Sequence, residues 1–226
     1  MGDSPEEILR DIAAIGRIDA VPVLLRVLCE STGMGFAAVA RVTEGTWIAC
    51  AVQDDIEFGM KPGGHLEIHS TLCKEVRASR QPIVIAHASV DPVYCTHHTP
   101  LRYGLESYIS VPIVLAGGDY FGNLCAIDPR PAKISEPRIE SMFVLFAQLI
   151  ALHLENERKH EQQAALLDER AAGELREQFI AILGHDLRNP LAAVAACGDL
   201  LQHTANDRFR STLLRISSEV LSACRR

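Results

Sequence analysis

Residues 107–128, SYISVPIVLAGGDYFGNLCAID, decide how this 226-residue chain folds. Two β-prone runs, Ser107–Leu115 and Tyr120–Ile127, flank Gly117 and Gly118. A glycine pair between such runs signals a hairpin, because glycine takes the positive-φ turn conformations that side chains resist. Toward the N-terminus, three more runs read as strands: Phe36–Val42, Trp47–Gln53 and Pro82–Ala86. Helical patterns precede them at Glu6–Ile15 and Ala20–Thr32; in the second, Val21, Leu24, Leu25 and Leu28 recur at helical spacing. A short helix is expected around Ser70–Ala78. Ala88–Gly104 is a long, polar, histidine-rich connection, and loops of that length tend to carry function.

Toward the C-terminus, Asp128, Pro129, Arg130 and Pro131 mark a helix-breaking boundary. Ser135 then reads as an N-cap. From there to about Leu201 the only strong breaker is Pro190. The helix first packs through Ile139, Met142, Phe143, Phe146, Leu149 and Ile150. It then turns polar at Asn156–Gln163, which has almost nothing to bury: a solvated helix or a weak two-stranded seam. Apolar spacing resumes at Leu175, Phe179 and Ile182. After a turn at His203–Asp207, Phe209, Leu213, Ile216 and Val220 form the stripe of a returning helix. So short a helical hairpin buries little alone, and two copies forming a four-helix bundle would close its core, so a homodimer is expected.

Within that helical region His185, Asp186, Arg188 and Asn189 fall within five positions. On a helix His185 and Asn189 are one turn apart and share a face. The stripe Ile180, Leu183, Leu187, Leu191, Val194 and Leu201 points roughly the opposite way, so the imidazole should face outward from a helix buried on its back. A neutral imidazole nitrogen is nucleophilic near pH 7, since its unperturbed pKa is about 6.5. Asp186 is placed to accept the other ring N–H, leaving the free nitrogen to attack a phosphoryl group. Asn189 is placed to hold a water for the reverse, hydrolytic reaction. Pro190 frees a carbonyl near the cluster and favours a kink.

The string from His185 to Leu191, with Phe179 upstream, resembles the H-box of the HisKA dimerisation and phosphotransfer domain of sensor histidine kinases. The resemblance implies that His185 is the phosphoacceptor, Asp186 its acid/base partner and Asn189 the amide used in phosphatase action. It also implies a response-regulator receiver domain as partner. The kinases of that family bind ATP through Asn- and Gly-rich boxes in a further domain. No such boxes occur before Arg226, so ATP would act through a domain outside these residues, and the chain alone is expected to be inactive as a kinase.

The strand and helix order, together with Tyr108–Ile113 and Phe121–Asp128, resembles a GAF domain over roughly residues 18–150. That resemblance implies a small antiparallel-sheet sensor. The expected class is α+β: a GAF domain at 1–150, a helical coiled-coil linker at 151–173, and a HisKA hairpin at 174–226 forming a dimeric four-helix bundle. Its ligand is open. In phytochromes and cyanobacteriochromes, which are bilin-binding GAF proteins, a cysteine before the strand equivalent to Ile109–Ile113 forms a thioether, and Cys95 falls near that place. A neighbouring cation, His97 or His98, would assist such a thiol. Against this, Thr96 rather than histidine follows Cys95, and 5% aromatic residues are few for gripping a tetrapyrrole. The alternative to a kinase is thus a bilin photoreceptor module or a ligand-binding dimerisation module.

Composition bounds the rest. A net charge of -7 argues against nucleic acid as a partner. No apolar run approaches the roughly 20 residues of a membrane span, and the acidic N-terminus is unlike a signal peptide. Seven scattered cysteines do not read as a disulfide framework, so a reducing, cytoplasmic setting is expected. The other cysteines (Cys29, Cys50, Cys73, Cys125, Cys197 and Cys224) read as buried small hydrophobes. No metal is expected: adjacent His97 and His98 rarely ligate one ion, and His65 and His69, though four apart as helix-borne ligands would be, follow Gly63 and Gly64, which favour a loop or helix edge there.

Overall fold

A computed structural model describes residues 4–203 and 207–223 of the chain. It divides into two compact units, Met1–Glu161 and Gln162–Arg226.

The first unit opens with α1 (Pro5–Gly16) and α2 (Ala20–Thr32). Ser4 caps α1: its hydroxyl accepts from the Glu7 N–H at 3.3 Å while the Glu7 carboxylate reaches back to the Ser4 N–H. There follow β1 (Phe36–Val42), β2 (Thr46–Asp54), β3 (His65–Glu67), α3 (Cys73–Ser79), β4 (Ile83–Ile85), α4 (His98–Tyr103), β5 (Ser107–Val114) and β6 (Tyr120–Asp128). The six strands form one antiparallel sheet in the order β3-β2-β1-β6-β5-β4. The hairpin read from residues 107–128 is β5–β6, and the positive φ of its turn falls on Gly118.

Both faces of the sheet are covered, which is why every residue of β1 is buried. Alternation along the strand divides its side chains. Ala37 and Val39 join α1, α2 and the start of α5 (Pro137–His203) through Ile15, Leu25, Leu28, Phe143 and Ile150. Phe36, Ala38, Ala40 and Val42 face α3 and the segments around it. Gly122 in β6 has no alternative here: a Cβ on it would lie 1.8 Å from the Ala40 carbonyl oxygen.

Three expectations are corrected. β3 is a strand, pairing Thr46↔Glu67 to Ile48↔His65, and α4 is a helix inside the presumed loop 88–104. Helix α5 begins at Pro137, one residue later than a Ser135 cap requires. Proline disfavours helical backbone in the residue before it, so Glu136 stays outside and Pro137 takes the first helical position. The opening of α5 is also long and apolar enough to pass for a membrane span by composition. Its Ile139, Phe143, Ala147, Ile150 and Leu154 are nevertheless buried in the core of the first unit.

The second unit holds the rest of α5 and then α6 (Asp207–Ala223). The middle of the turn read at His203–Asp207 lies outside the described residues. The stripe expected to be buried behind His185 is not buried within one chain: Ile180, Leu183, Leu187 and Leu191 are exposed, as are Leu175 and Phe179. A two-helix unit lacks a second layer to cover that face.

Candidate functional site

A cavity of about 40 Å³ lies between the sheet and α3. Phe36, Trp47, Phe58, Leu66 and Tyr103 wall it, and Cys73, Tyr108 and Cys125 are among the residues that complete its lining. Alternation places these groups: Tyr108 and Ser110 share the α3-facing side of β5, and Cys125 sits opposite Ser110 on β6. Cys73 is the first residue of α3 and points back at them.

A polar chain ends on the Cys73 sulfur. The Tyr120 hydroxyl donates to Asn123 Oδ1, and Asn123 Nδ2 donates to Ser110 Oγ at 2.8 Å. Cys73 Sγ lies 4.0 Å from Ser110 Oγ and 3.3 Å from the Tyr108 hydroxyl. Cys125 beside it, then the Tyr108, Ser110 and Asn123 side chains, outweigh desolvation and hold the Cys73 thiol below its usual range. Cys125, whose thiol donates to the Ala38 carbonyl at 3.7 Å, moves the other way, upward, because of Cys73 beside it and then because of burial. Elsewhere, burial above all, with nearby carboxylates, pushes Cys29 and Cys50 up to about 12. This cluster was not found from sequence, where Cys73 and Cys125 each read as a small hydrophobe.

Cys95 is exposed in the turn before α4. His97 caps α4, its Nδ1 accepting from the Thr99 N–H at 3.2 Å, and its Nε2 meets Glu75 Oε1 at 3.0 Å. His98 Nε2 donates to the His69 carbonyl at 2.8 Å. Both histidines therefore fasten the 88–104 segment to the region around α3. His65 lies in β3 and His69 in a 3-10 turn, so they do not share a helix face. Ligand pockets run to about 300–1,000 Å³, so a tetrapyrrole would need the walls of this cavity to move apart.

His185, Asp186 and Asn189 lie on α5. Their side chains are outside the described residues.

A second cluster joins α1 and the sheet to α5. Asp11 is buried and accepts from Arg41 Nε at 2.9 Å and Arg158 Nη2 at 2.5 Å. Both guanidinium groups also stand over the Phe121 ring, at 5.5 and 5.9 Å from its centroid. Arg17 pairs with Glu157 at 3.1 Å and also with Glu161. The polar stretch at 156–163, which read as having nothing to bury, is thus partly committed to α1. Arg41 carried the clue: it continues the buried set Ala37, Val39 and so requires a carboxylate on the helix layer.

Residues 17–154 match the GAF domain family, ending short of the His185 segment. No curated protein matches the chain. Among solved structures, the blue-light-absorbing form of the PixJ GAF domain from Thermosynechococcus elongatus is 16% identical with a TM-score of 0.55, covering 74% of this chain and 98% of that one. The chromophore-binding domain of a bacteriophytochrome from R. palustris is 13% identical with a TM-score of 0.52, covering 71% and 64%. The type II free methionine-R-sulfoxide reductase from Thermoplasma acidophilum is 15% identical with a TM-score of 0.48, covering 65% and 95%. Identities this low speak to fold alone. With the family matched over more than half of its length, the chain belongs to the GAF domain family.

Proposed function

We propose that this chain is the sensing and phosphoacceptor portion of a cytoplasmic sensor histidine kinase, in which the GAF domain regulates phosphorylation of His185. The observation that carries the reading is the string His185 to Leu191 on α5, the helix that starts in the GAF core. His185 takes phosphate from ATP held by a catalytic domain and passes it to an aspartate of a response-regulator receiver domain. Asp186 removes and returns the imidazole proton, and Asn189 positions water for dephosphorylation of the regulator. The exposed apolar stripe of the second unit supports a homodimer, since a second copy would cover Phe179, Ile180, Leu183 and Leu187.

The test supplies the chain with a histidine-kinase ATP-binding domain and labelled ATP. Acid-labile label is expected on the chain and absent from His185→Gln; persistent label on that variant overturns the assignment. Asp186→Asn should slow labelling by about 100-fold, the scale of a lost acid/base group. Asn189→Ala should spare labelling and slow loss of phosphate from the regulator. Inserting one residue within 157–163 should strongly alter labelling, because it rotates everything beyond by about 100°. Unchanged labelling would count against transmission through α5.

A further inference from the structure

Cys73 and Cys125 differ from the other cysteines of the GAF domain in two respects. They line one cavity, and both lie against Ser110: Cys73 Sγ is 4.0 Å from its Oγ, and Cys125 is its partner across β5 and β6. Cys29 and Cys50 lie in the opposite core cluster, and Cys95 is exposed. The cavity, about 40 Å³, accepts about three water-sized molecules, given that a water needs roughly 10–15 Å³ of such space. Phe58, Leu66 and Tyr103, each only half-buried, stand between it and solvent. Phe58 packs between Phe36 and Tyr103, at centroid distances of 5.2 and 6.0 Å. The space therefore suits a small reagent such as two linked oxygens, beside a sulfur within hydrogen-bonding reach of the Tyr108 and Ser110 hydroxyls.

We propose that Cys73 and Cys125 are a peroxide-reactive dithiol, closing to a disulfide that links α3 to β6 when hydrogen peroxide enters the cavity. The Cys73 thiolate attacks one peroxide oxygen, forming an S–O bond as the O–O bond breaks. The departing hydroxide takes the proton Cys73 released and leaves as water. The Cys125 sulfur then attacks the sulfenic sulfur of Cys73, forming the S–S bond. The second hydroxide takes the Cys125 proton and also leaves as water. Two thiols and one peroxide give one disulfide and two waters, so protons and electrons balance. The Tyr108 hydroxyl, 3.3 Å from Cys73 Sγ, steadies the attacking thiolate. The downward shift of the Cys73 thiol supports its part as nucleophile, since the thiolate is the reacting form. This chemistry stands on the GAF domain alone and holds whether or not His185 carries phosphate.

The test treats the native full chain with hydrogen peroxide, removes the excess with catalase, then denatures it in an alkylating agent and maps peptides without reduction. A Cys73–Cys125 linked pair is expected, equally abundant in Cys95→Ala and reversed by dithiothreitol. In Cys125→Ala, dimedone should trap a sulfenic acid on Cys73. Cumene hydroperoxide, too large for the cavity, should link the pair at less than about a tenth of the rate, because a packed interior yields little to a bulky reagent. Full alkylation of Cys73 and Cys125 in wild type, with oxidation confined to Cys95, would overturn the proposal without bearing on His185. Equal rates with the two peroxides would overturn the cavity's part in it.

Discussion

The GAF domain and the helical unit treat their apolar residues in opposite ways. In the first, a sheet covered on both faces buries Phe36, Leu25, Ile109 and Phe143 almost completely. In the second, Phe179, Leu183, Leu187 and Leu191 recur at helical spacing yet stay exposed. Similar side chains are thus a finished core in one unit and an open face in the other. A domain of about 150 residues can close around itself, whereas two helices cannot. Substitutions in the first unit should therefore act on folding, and those in the second on association.

The largest expected effect is Gly122→Val. Its Cβ would fall on the Ala40 carbonyl, forcing β1 and β6 apart, at a cost above about 4 kcal/mol. The variant should appear in the insoluble fraction or lack a cooperative melt. Next, Asp11→Ala removes one buried carboxylate partner from Arg41 and from Arg158 at the same time. Breaking a buried pair from one side costs roughly 3–5 kcal/mol, readable by urea unfolding. Asp11→Asn should recover part of that loss. In the second unit, Leu183→Glu should leave the GAF melt unchanged while raising the dimer dissociation constant by about 100-fold, as for a charge placed in an apolar seam. Sedimentation of the full chain separates the two readouts. An unchanged dimer would show that this face has another occupant.

The smallest effect is a matter of pH. Burial alone would push the Asp128 carboxyl up, but hydrogen bonds from the Arg130 side chain and from the Arg130 and Gly35 N–H groups outweigh it and hold it below the usual range. A depressed carboxylate contributes stability that is present above its unfolded value, about 3.9, and is lost as pH falls through the folded one. The stability gap between wild type and Asp128→Asn should be widest at neutral pH and shrink below about pH 4. A gap independent of pH would remove the carboxylate from the account.

Much of the fold was legible because its long strands and helices announce their period. Phe36–Val42 and Ala20–Thr32 carry theirs over seven residues or more. His65–Glu67 is three residues long and alternates nothing recognisable, so only its pairing with β2 makes it a strand. α4 was hidden by its length of six residues and by Pro100. The sites divide similarly. His185, Asp186 and Asn189 are contiguous, so their chemistry can be read along the chain. Cys73, Tyr108, Ser110, Asn123 and Cys125 come from three elements, and only folding brings them to one place.

The single carboxylate of Asp11 answers to two cations from different parts of the chain, Arg41 on β1 and Arg158 on α5. Such a three-cornered arrangement constrains descent. A change at position 11 takes a partner from two charges at once, and no single compensating step restores both contacts. Related sequences should therefore keep positions 11, 41 and 158 as a set or exchange all three together. A lineage that had lost only one of them would show which corner the domain can do without.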